Sequence, residues 1–440
     1  MKEVKFEEHG FRLHLKNEEE FVSHQIYKKL KLLHTSRSLA LTSLLVLSKN
    51  KTGKISAFDG FAGLGMAPLQ WASLLNDEQI DISINVKSVM RNVFEDKEKI
   101  PQALKRCKIF YEDTNVLLHQ NKFDFIYLAP LFSTLQYLEA AFRSISDNGI
   151  IVLTVCDLAV LTNRDSDTTY TLYGSTLYTT KYMAEMDVRT VIYSMVRAAA
   201  KFGKALDVKT CAVSNAGITV VCEVKIGSKL VGQCSKLIKQ IAHCKESKQW
   251  RFVNQSKYLN SMVEADELLN RQSKNLNPVL LLGPFYSGTI FDTNFIYEQC
   301  KLLYKVAYSK NTLLLFKNLL LESICFSIDN YLAIHINDIL KGIFFGFLKQ
   351  KHFSLVDRTI KNQIKVLNNC WSMETDKVAM YFDIQARSVP GSRSPSYETI
   401  VRRLRKMGYR ACKSTFGARL IRTNAVINNE VFNEISKVAK

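Results

Sequence analysis

The stretch "KISAFDGFAGLGMAPLQWASLL", residues 54–75, decides the fold class. Its first six residues predict a short strand, "GFAGLG" predicts a tight turn, and "MAPLQWASLL" predicts a helix. In such a unit the helix offers its first backbone amides to a polar ligand, and glycine lets the chain approach that ligand closely. A glycine-rich turn also occurs for geometry alone. Its place after the first strand of a series favours a cofactor-binding loop with Asp59, Gly63 and Gly65.

Four further strands are predicted, in "DISIN" (81–85), "KIFYED" (108–113), "FDFIYLA" (123–129) and "NGIIVLTVCD" (148–157). The last of these is continuously apolar, as expected of a strand buried on both faces. A long helix over 181–202 and two β-rich runs, "LDVKTCAVSN" and "GITVVCEVKI", follow. This order predicts an α/β domain of the Rossmann-like, methyltransferase type, with a mostly parallel sheet and an antiparallel last strand.

The chain of 440 residues is long enough for two or three domains. Residues 1–53, with "EEEFVSHQIYKKLKLLHTSRSLALTSLLVL", predict a helical lead-in of one or two amphipathic helices. Residues 54–228 hold the strand series. Beyond 228 the composition changes: "CSKLIKQIAHCKESKQW" reads as polar and helical or loop-like, and the basic residues gather near the end. We therefore predict a separate C-terminal α/β domain over 229–440.

The formal charge of +19 is unevenly distributed. Between Arg387 and Arg422 the sequence holds ten Lys or Arg and one acid, Glu398. Such a segment attracts polyanions, and nucleic acid or an anionic membrane surface is the first partner to consider. The alternative is a solvated cationic helix that is balanced by acids elsewhere. The candidate RNA-binding residues are Arg402, Arg403, Arg405, Lys406, Arg410, Arg419 and Arg422.

Cysteine usage and hydropathy limit where the protein works. Its ten cysteines are irregularly spaced and form no Cys-x-x-Cys pair, so a disulfide framework is not expected. The start, "MKEVKFEEHGFRLHLKNEEEF", lacks the apolar region of a signal peptide. The most apolar window, "NTLLLFKNLLLESICF", is interrupted by Lys317 and Glu322. These features predict an intracellular, soluble protein with no membrane partner.

Three positions at the ends of predicted strands are candidates for binding a cofactor or substrate. Asp113, beside Thr114, either lies against the adenine of a cofactor or caps the next helix. Asp157 either caps the following segment or lines a substrate pocket. At the end of the second strand, where a ribose-binding acid is common in such domains, the chain has Val86.

Six segments resemble the tRNA (guanine-26-N2)-dimethyltransferase family, and most closely its dimethyltransferase-like branch in animals. They are "FDGFAGLGMAPLQWA", "YEDTNVLLHQNKFDFIYLAP", "LEAAFRSISDNGIIVLTVCDLAVL", "YGSTLYTTKYMAEMDVRTVIYSMVRAAAKFGKALDV", "LLLGPFYSGTIFDTNFI" and "YFDIQARSVPGSRSPSYETIVRRLRKMGYRACKSTFGARLIRTNAV". They span most of residues 54–425. The resemblance implies a class I methyltransferase domain, S-adenosyl-L-methionine as cofactor, tRNA rather than DNA as partner, and a nuclear or nucleolar address.

Carried over residue by residue, the resemblance matches the acids Asp59, Asp113 and Asp157 and the loop glycine Gly65. It also shows three losses. Ala67 stands at the position of a family arginine, and Val86 stands at the position of the ribose-binding acid. The catalytic Asp-Pro-aromatic motif of the family reads Ala129-Pro130-Leu131. The N-terminal Asn-Arg signature of active members does not appear in "EEEFVSHQIYKK".

These matches and losses leave three hypotheses. The first is an active tRNA guanosine N2-methyltransferase that adds one or two methyl groups. The second is a catalytically impaired relative that keeps the fold to bind tRNA. The third is a methyltransferase in which Asp157 replaces the missing acceptor at Ala129. The resemblance also suggests a zinc site, but Cys234 and Cys244 lack a second pair, so no metal is expected.

Overall fold

The computed structural model divides the chain into two compact units, Met1–Ile290 and Phe291–Lys440. It describes residues 2–17, 31–87, 91–95, 100–157, 160–161, 166–180, 182–244, 250–254, 279–302, 310–326, 396–414, 420–423, 425 and 431. In these ranges no helix has the length and apolar character needed to cross a bilayer.

The first unit alternates strands and helices through most of its length. Its strands are β1 (Lys2–Glu8), β2 (Phe11–Asn17), β3 (Ile55–Asp59), β4 (Ile80–Asn85), β5 (Lys108–Phe110), β6 (Phe123–Leu128), β7 (Ile145–Val155), β8 (Lys204–Ser214), β9 (Gly217–Ile226), β10 (Ile238–Cys244), β11 (Trp250–Asn254) and β12 (Val279–Tyr286). Its α-helices are α1 (His34–Asn50), α2 (Met66–Leu74), α3 (Arg91–Glu95), α4 (Thr114–Gln120), α5 (Leu138–Ser144), α6 (Ser166–Tyr173), α7 (Met183–Ala200) and α8 (Ser228–Ser235). Two 3₁₀ turns lie at Gln102–Arg106 and Leu135–Tyr137.

Seven of these strands form one sheet in the order β5-β4-β3-β6-β7-β9-β8. Strands β3 to β7 pair in parallel, and β9 runs antiparallel between β7 and β8. This topology confirms the predicted Rossmann-like class, with five parallel strands and an antiparallel last strand. The chain order reverses at β3, which has β4 on one side and β6 on the other. The carboxyl ends of β3 and β6 therefore lie side by side, where ligands bind in open α/β sheets.

The centre of the sheet is buried, as the sequence predicted. On β7 the side chains from Ile150 to Val155 are all buried, in agreement with a strand covered on both faces. Helix α1 covers this part of the sheet, and its residues Ser36 to Leu47 are buried around the whole helix. It is therefore a core helix and not the amphipathic helix that we predicted from its sequence.

The start of the chain is also not helical. Strands β1 and β2 form an antiparallel hairpin in which Lys2 pairs with Asn17 and Glu8 with Phe11. The turn between them places His9 at φ 54° and Gly10 at φ 80°, a left-handed pair that suits a two-residue hairpin turn. The prediction of a wholly helical lead-in over 1–53 is therefore wrong for this part. The first part of the stretch that suggested it, residues 18–30, lies outside the described residues.

The first unit extends past the predicted domain boundary at 228. Strands β10, β11 and β12 form a second sheet, in the order β11-β10-β12. The sequence predicted a strand for β12, in "VLLLGPFY", and helix or loop for the segment of β10. The buried Arg189 of α7 donates hydrogen bonds to the carbonyls of Tyr286 (2.7 Å) and Gly288 (2.9 Å). In addition, the hydroxyl of Tyr182 lies 2.7 Å from Nδ1 of His243. These contacts fix the small sheet to α7, so the first unit ends at 290.

The second unit contains α9 (Thr293–Leu302), α10 (Lys310–Phe326), α11 (Tyr397–Lys406) and the antiparallel strands β13 (Ala411–Lys413) and β14 (Ile421–Thr423). Helix α11 begins at Ser396, whose hydroxyl accepts a hydrogen bond from the Thr399 amide. Ile400 and Leu404 of α11 pack with Ala411 and Ile421 of the two strands. This small core holds one face of α11, and the opposite face carries basic residues.

Candidate active site

The ends of β3 and β6 meet at a pocket. Asp59, the last residue of β3, pairs with Tyr127 of β6, and Ala129 follows two positions later. Residues lining the pocket include Arg37, Asp59, Phe61, Ala67, Tyr127 and Ala129. The structure thus brings the predicted acid and the degenerate catalytic position together. Pro130, beside Ala129, is buried.

Asp59 is the acid of this pocket. It is 1 % exposed, and one carboxylate oxygen accepts a hydrogen bond from the Phe61 amide at 3.0 Å. Burial raises the pKa of Asp59 to about 7, although the Phe61 amide and Arg37 both act to lower it. Near neutral pH this carboxyl group is therefore poised to gain or lose a proton when a charged ligand arrives.

Arg37 of α1 is the cation of the pocket, and our sequence analysis missed it. Its Nε donates to the buried carboxylate of Glu8 at 2.8 Å, and its guanidinium lies 5.3 Å from the centre of the Phe6 ring. Glu8 also accepts a hydrogen bond from Gln70 at 3.1 Å. Burial alone would raise the pKa of Glu8, but Arg37 outweighs it and holds that pKa below its usual value. The hairpin β1–β2 therefore supports the pocket from one side.

The glycine-rich turn is fixed by its neighbours. Gly65, at φ 85°, begins α2 in the left-handed region, and Gly63 also has a positive φ of 55°. A Cβ on Gly60 would come within 2.6 Å of the Leu128 side chain. The hydroxyl of Thr114 donates to the Gly60 carbonyl and accepts from the side-chain amide of Asn85, each at 3.0 Å. Thr114, which we group with Asp113 as a candidate cofactor-binding residue, is thus buried, and its hydroxyl forms hydrogen bonds that hold this turn.

The residues at the expected ribose and adenine positions are less suited to binding the cofactor. Val86 is buried at the end of β4 with an aliphatic side chain, and Lys87 after it is exposed. Asp113 is the N-cap of α4, and its carboxylate accepts a hydrogen bond from the Asn115 amide at 2.8 Å. Of the two roles considered for Asp113, capping is the one observed. A contact between Asp113 and adenine stays a prediction.

Asp157 does not join the pocket. It is half-buried after β7, near Tyr173, whose pKa it raises together with burial. Among the described residues that line the pocket, Asp157 is not present. That Asp157 lines a substrate pocket stays a prediction. A carboxylate outside the pocket also gives little support to Asp157 as a replacement for the acceptor missing at Ala129.

An aromatic cluster lies at the same edge of the sheet. Phe61 contacts Phe132 and Tyr137 edge to face, with ring centres 5.9 and 4.9 Å apart. Phe132 is 41 % exposed, and Nζ of Lys87 lies 5.8 Å from the centre of its ring. Tyr137 is buried, and burial and the charge of Asp113 raise its pKa. We call Phe61, Phe132 and Tyr137 the edge cluster.

In the second unit, the predicted RNA-binding residues fall into different environments. Arg402 and Lys406 are exposed on α11, and Arg403 and Arg410 are half-buried. Arg419 lies outside the described residues.

Two of the predicted RNA-binding residues are structural. Arg405 is buried and donates to the Ala411 carbonyl at 2.7 Å. Arg422 is 0 % exposed and pairs with Glu322 through Nη2 at 2.8 Å, while Ser414 donates to the same carboxylate. The assignment of Arg405 and Arg422 to an RNA-binding surface is therefore wrong, because both side chains are buried and form hydrogen bonds inside the unit.

Comparison with known proteins supplies independent findings. The model of a family described as "N2,N2-dimethylguanosine tRNA methyltransferase" matches residues 31–342. The chain is 25 % identical over 433 residues to a tRNA (guanine(27)-N(2))-dimethyltransferase of Macaca fascicularis, covering 89 % of this chain and 61 % of that protein. The human protein of the same name is also 25 % identical, with 89 % and 57 % covered. The chain therefore spans about three fifths of the length of these relatives.

Among solved structures, Trm1 from Pyrococcus horikoshii in complex with S-adenosyl-L-methionine matches 99 % of this chain and 100 % of its own, with a TM-score of 0.68 and 16 % identity. At this identity the likeness concerns the fold. It supports the α/β, Rossmann-like methyltransferase fold.

Proposed function

The chain belongs to the N2,N2-dimethylguanosine tRNA methyltransferase family, and from this premise we propose that it is an S-adenosyl-L-methionine-dependent tRNA guanine N2-methyltransferase. By the family resemblance we place its target at a helix junction of tRNA, and the names of two relatives specify guanine 27. The observation that carries the proposal is that Arg37 and Asp59 line one pocket at the ends of β3 and β6.

These two side chains fit the methionine end of the cofactor. That end is a zwitterion, with a carboxylate and an ammonium group. Arg37 would hold the carboxylate and Asp59 the ammonium group, and the amides at the start of α2 lie next to them. The fit is poorer at the ribose, because the side chain of Val86 offers no hydrogen bond. When bound, the cofactor supplies the methyl group from its sulfonium.

At Ala129 the chain has no side chain that could accept a proton from the reacting amine. A guanine amine that gains a methyl group loses one proton, and the methyl side chain of Ala129 cannot accept it. Loss of such an acceptor typically costs about a hundred- to ten-thousand-fold in rate. We therefore propose a slow enzyme.

The alternative function is a catalytically impaired relative that holds tRNA, and it is favoured by one specific observation. Ala129 and Val86 place two apolar side chains where the family has carboxylates. In either case we propose tRNA as partner, with no role for DNA or a membrane. A nuclear or nucleolar location follows from the resemblance alone and is part of this proposal.

The direct test uses the full chain with cofactor labelled in its methyl group and tRNA transcripts. Nucleoside analysis should detect N2-methylguanosine or N2,N2-dimethylguanosine, and the signal should vanish when the guanine at 27 is replaced. A calorimetric titration with the cofactor runs in parallel. Absence of both methyl transfer and cofactor binding, with tRNA present, would leave the tRNA-holding function in its place.

The exposed face of α11 gives a prediction about tRNA binding. Arg402 and Lys406 lie one turn apart and are exposed, so they can contact successive phosphates. The double variant Arg402→Glu/Lys406→Glu should bind tRNA about tenfold more weakly and reduce the slope of log K against log salt by roughly one to two. Binding is measured by filter retention at several salt concentrations.

The matched control changes the same charge elsewhere. Lys229 and Lys236 are exposed lysines at the two ends of α8. Lys229→Glu/Lys236→Glu should leave the salt slope almost unchanged. Equal losses in the two double variants would mean that net charge, and not α11, attracts the tRNA.

A further inference from the structure

The edge cluster has a feature that the pocket does not use. Phe132 keeps 41 % of its surface exposed although Phe61 and Tyr137 support its ring on the inner side. These two contacts hold the inner side of the ring, so its outer side is a flat apolar surface of the kind on which a base can stack. In the free protein the flexible side chain of Lys87 lies over this ring, with Nζ 5.8 Å from its centre. The ring is thus a preformed flat surface with a movable cation beside it.

From this arrangement we propose that Phe132 and Lys87 bind one unstacked nucleotide of an RNA, with the base on the Phe132 ring and a phosphate against Lys87. Aromatic rings accept any base by stacking, and a neighbouring cation follows the backbone, which is how single-stranded nucleic acid is held. The proposal rests on RNA as the partner in the proposed function. It does not require that methyl transfer occurs.

The charge at this edge favours a nucleotide over an apolar peptide. Lys87 follows Val86, so the strand end carries a cation where an acid would bind a ribose hydroxyl. A cation at such a position suits a phosphate group. Asp113 is an acid near the edge cluster; its charge acts on Tyr137, and its carboxylate caps α4. The exposed side of Phe132 has Lys87 beside it.

The edge cluster is also continuous with the pocket. Phe61 lines the pocket and at the same time supports Phe132, with the two ring centres 5.9 Å apart. A nucleotide on Phe132 would therefore lie at the pocket entrance, next to the position of a base that enters the pocket. This places Phe132 and Lys87 as residues that position the RNA strand.

The test uses the full chain and a single-stranded RNA hexanucleotide with 2-aminopurine at its centre, whose fluorescence reports stacking. Phe132→Leu should weaken binding about tenfold and abolish the fluorescence change, whereas Phe132→Trp should retain both. Lys87→Ala should keep the fluorescence change and reduce the salt slope by about 0.7, the value for one phosphate of a single strand. Lys87→Arg should restore the slope.

Tyr170→Leu is the control, because Tyr170 is a 62 % exposed aromatic residue on α6 of the same unit. The proposal is overturned if Phe132→Leu binds the RNA as wild type does, or loses no more affinity than Tyr170→Leu. The Phe132 ring would then contact a protein or no partner. No cofactor is present in this assay. A chain that fails to methylate tRNA can therefore still confirm the nucleotide site, and a methylating chain can still refute it.

Discussion

Replacing Arg37 with methionine is expected to lower the free energy of unfolding of the first unit by about 3–5 kcal/mol. The guanidinium is buried against Glu8, whose side chain is 3 % exposed. Removing it leaves a carboxylate inside the protein, where the Gln70 amide still donates to it but carries no charge. Urea denaturation followed by tryptophan fluorescence measures the loss, since Trp71 is buried against Tyr127 in the same layer.

The same variant is expected to bind S-adenosyl-L-methionine about a hundredfold more weakly, because the cofactor carboxylate loses its cation. Calorimetry at a temperature where the variant is folded gives this value. The two effects separate in the double variant Glu8→Gln/Arg37→Met. It removes both charges of the ion pair, and the glutamine introduced at position 8 can still accept from Gln70, so most of the stability should return while cofactor binding stays weak. Recovery of both would show that Arg37 acts only as a structural ion pair.

Arg37 also shows where sequence reasoning reaches its end. Its partner Glu8 lies 29 positions earlier, on a strand that we expected to be helical. An arginine inside the apolar run "TSRSLALTSLLVL" was the available signal, because a buried charge needs a partner. The sequence alone could not say which acid would meet it.

The meeting of Asp59 and Ala129 was predictable for the opposite reason. Asp59 ends β3 and Ala129 follows β6, and the carboxyl ends of parallel strands lie at one edge of the sheet. The burial of β7 followed from its continuous apolar run. The local sequence pattern and the geometry of a parallel sheet were sufficient to predict these features, since neither depends on identifying a bonding partner far away in the sequence.

The number of basic residues in the sequence did not identify the arginines that can contact RNA, because burial decides which of them are accessible. Arg402 and Arg405 belong to the same basic run, but of these two Arg402 is exposed and Arg405 is buried. Arg422 is neutralised by Glu322, which lies 100 positions earlier. The domain boundary was missed in the same way: composition changes at 228, whereas the contacts of Arg189 with Tyr286 and Gly288 keep the small sheet in the first unit.

Restoring the missing carboxylate is expected to have the largest effect on activity. Ala129→Asp should raise the rate of methyl transfer to tRNA by about a hundred- to ten-thousand-fold, the usual contribution of a general base. Ala129 is only 4 % exposed and lines the pocket beside Asp59, so an aspartate there reaches the space where the amine would lie. Single-turnover assays with excess enzyme measure the chemical step. Ala129→Asn, with the same shape and no base, should give no gain.

The pH dependence identifies the origin of any gain. Two carboxyl groups in one pocket raise each other's pKa, and the pKa of Asp59 is already about 7 because of burial. The new group acts only when ionised, so the rate of Ala129→Asp should increase with pH through neutrality, more steeply than that of wild type. If Ala129→Asp binds cofactor and tRNA but is no faster than Ala129→Asn, the acceptor is not the missing element. The losses at Val86 and Ala67 would then matter more, and the fold would be retained to hold RNA.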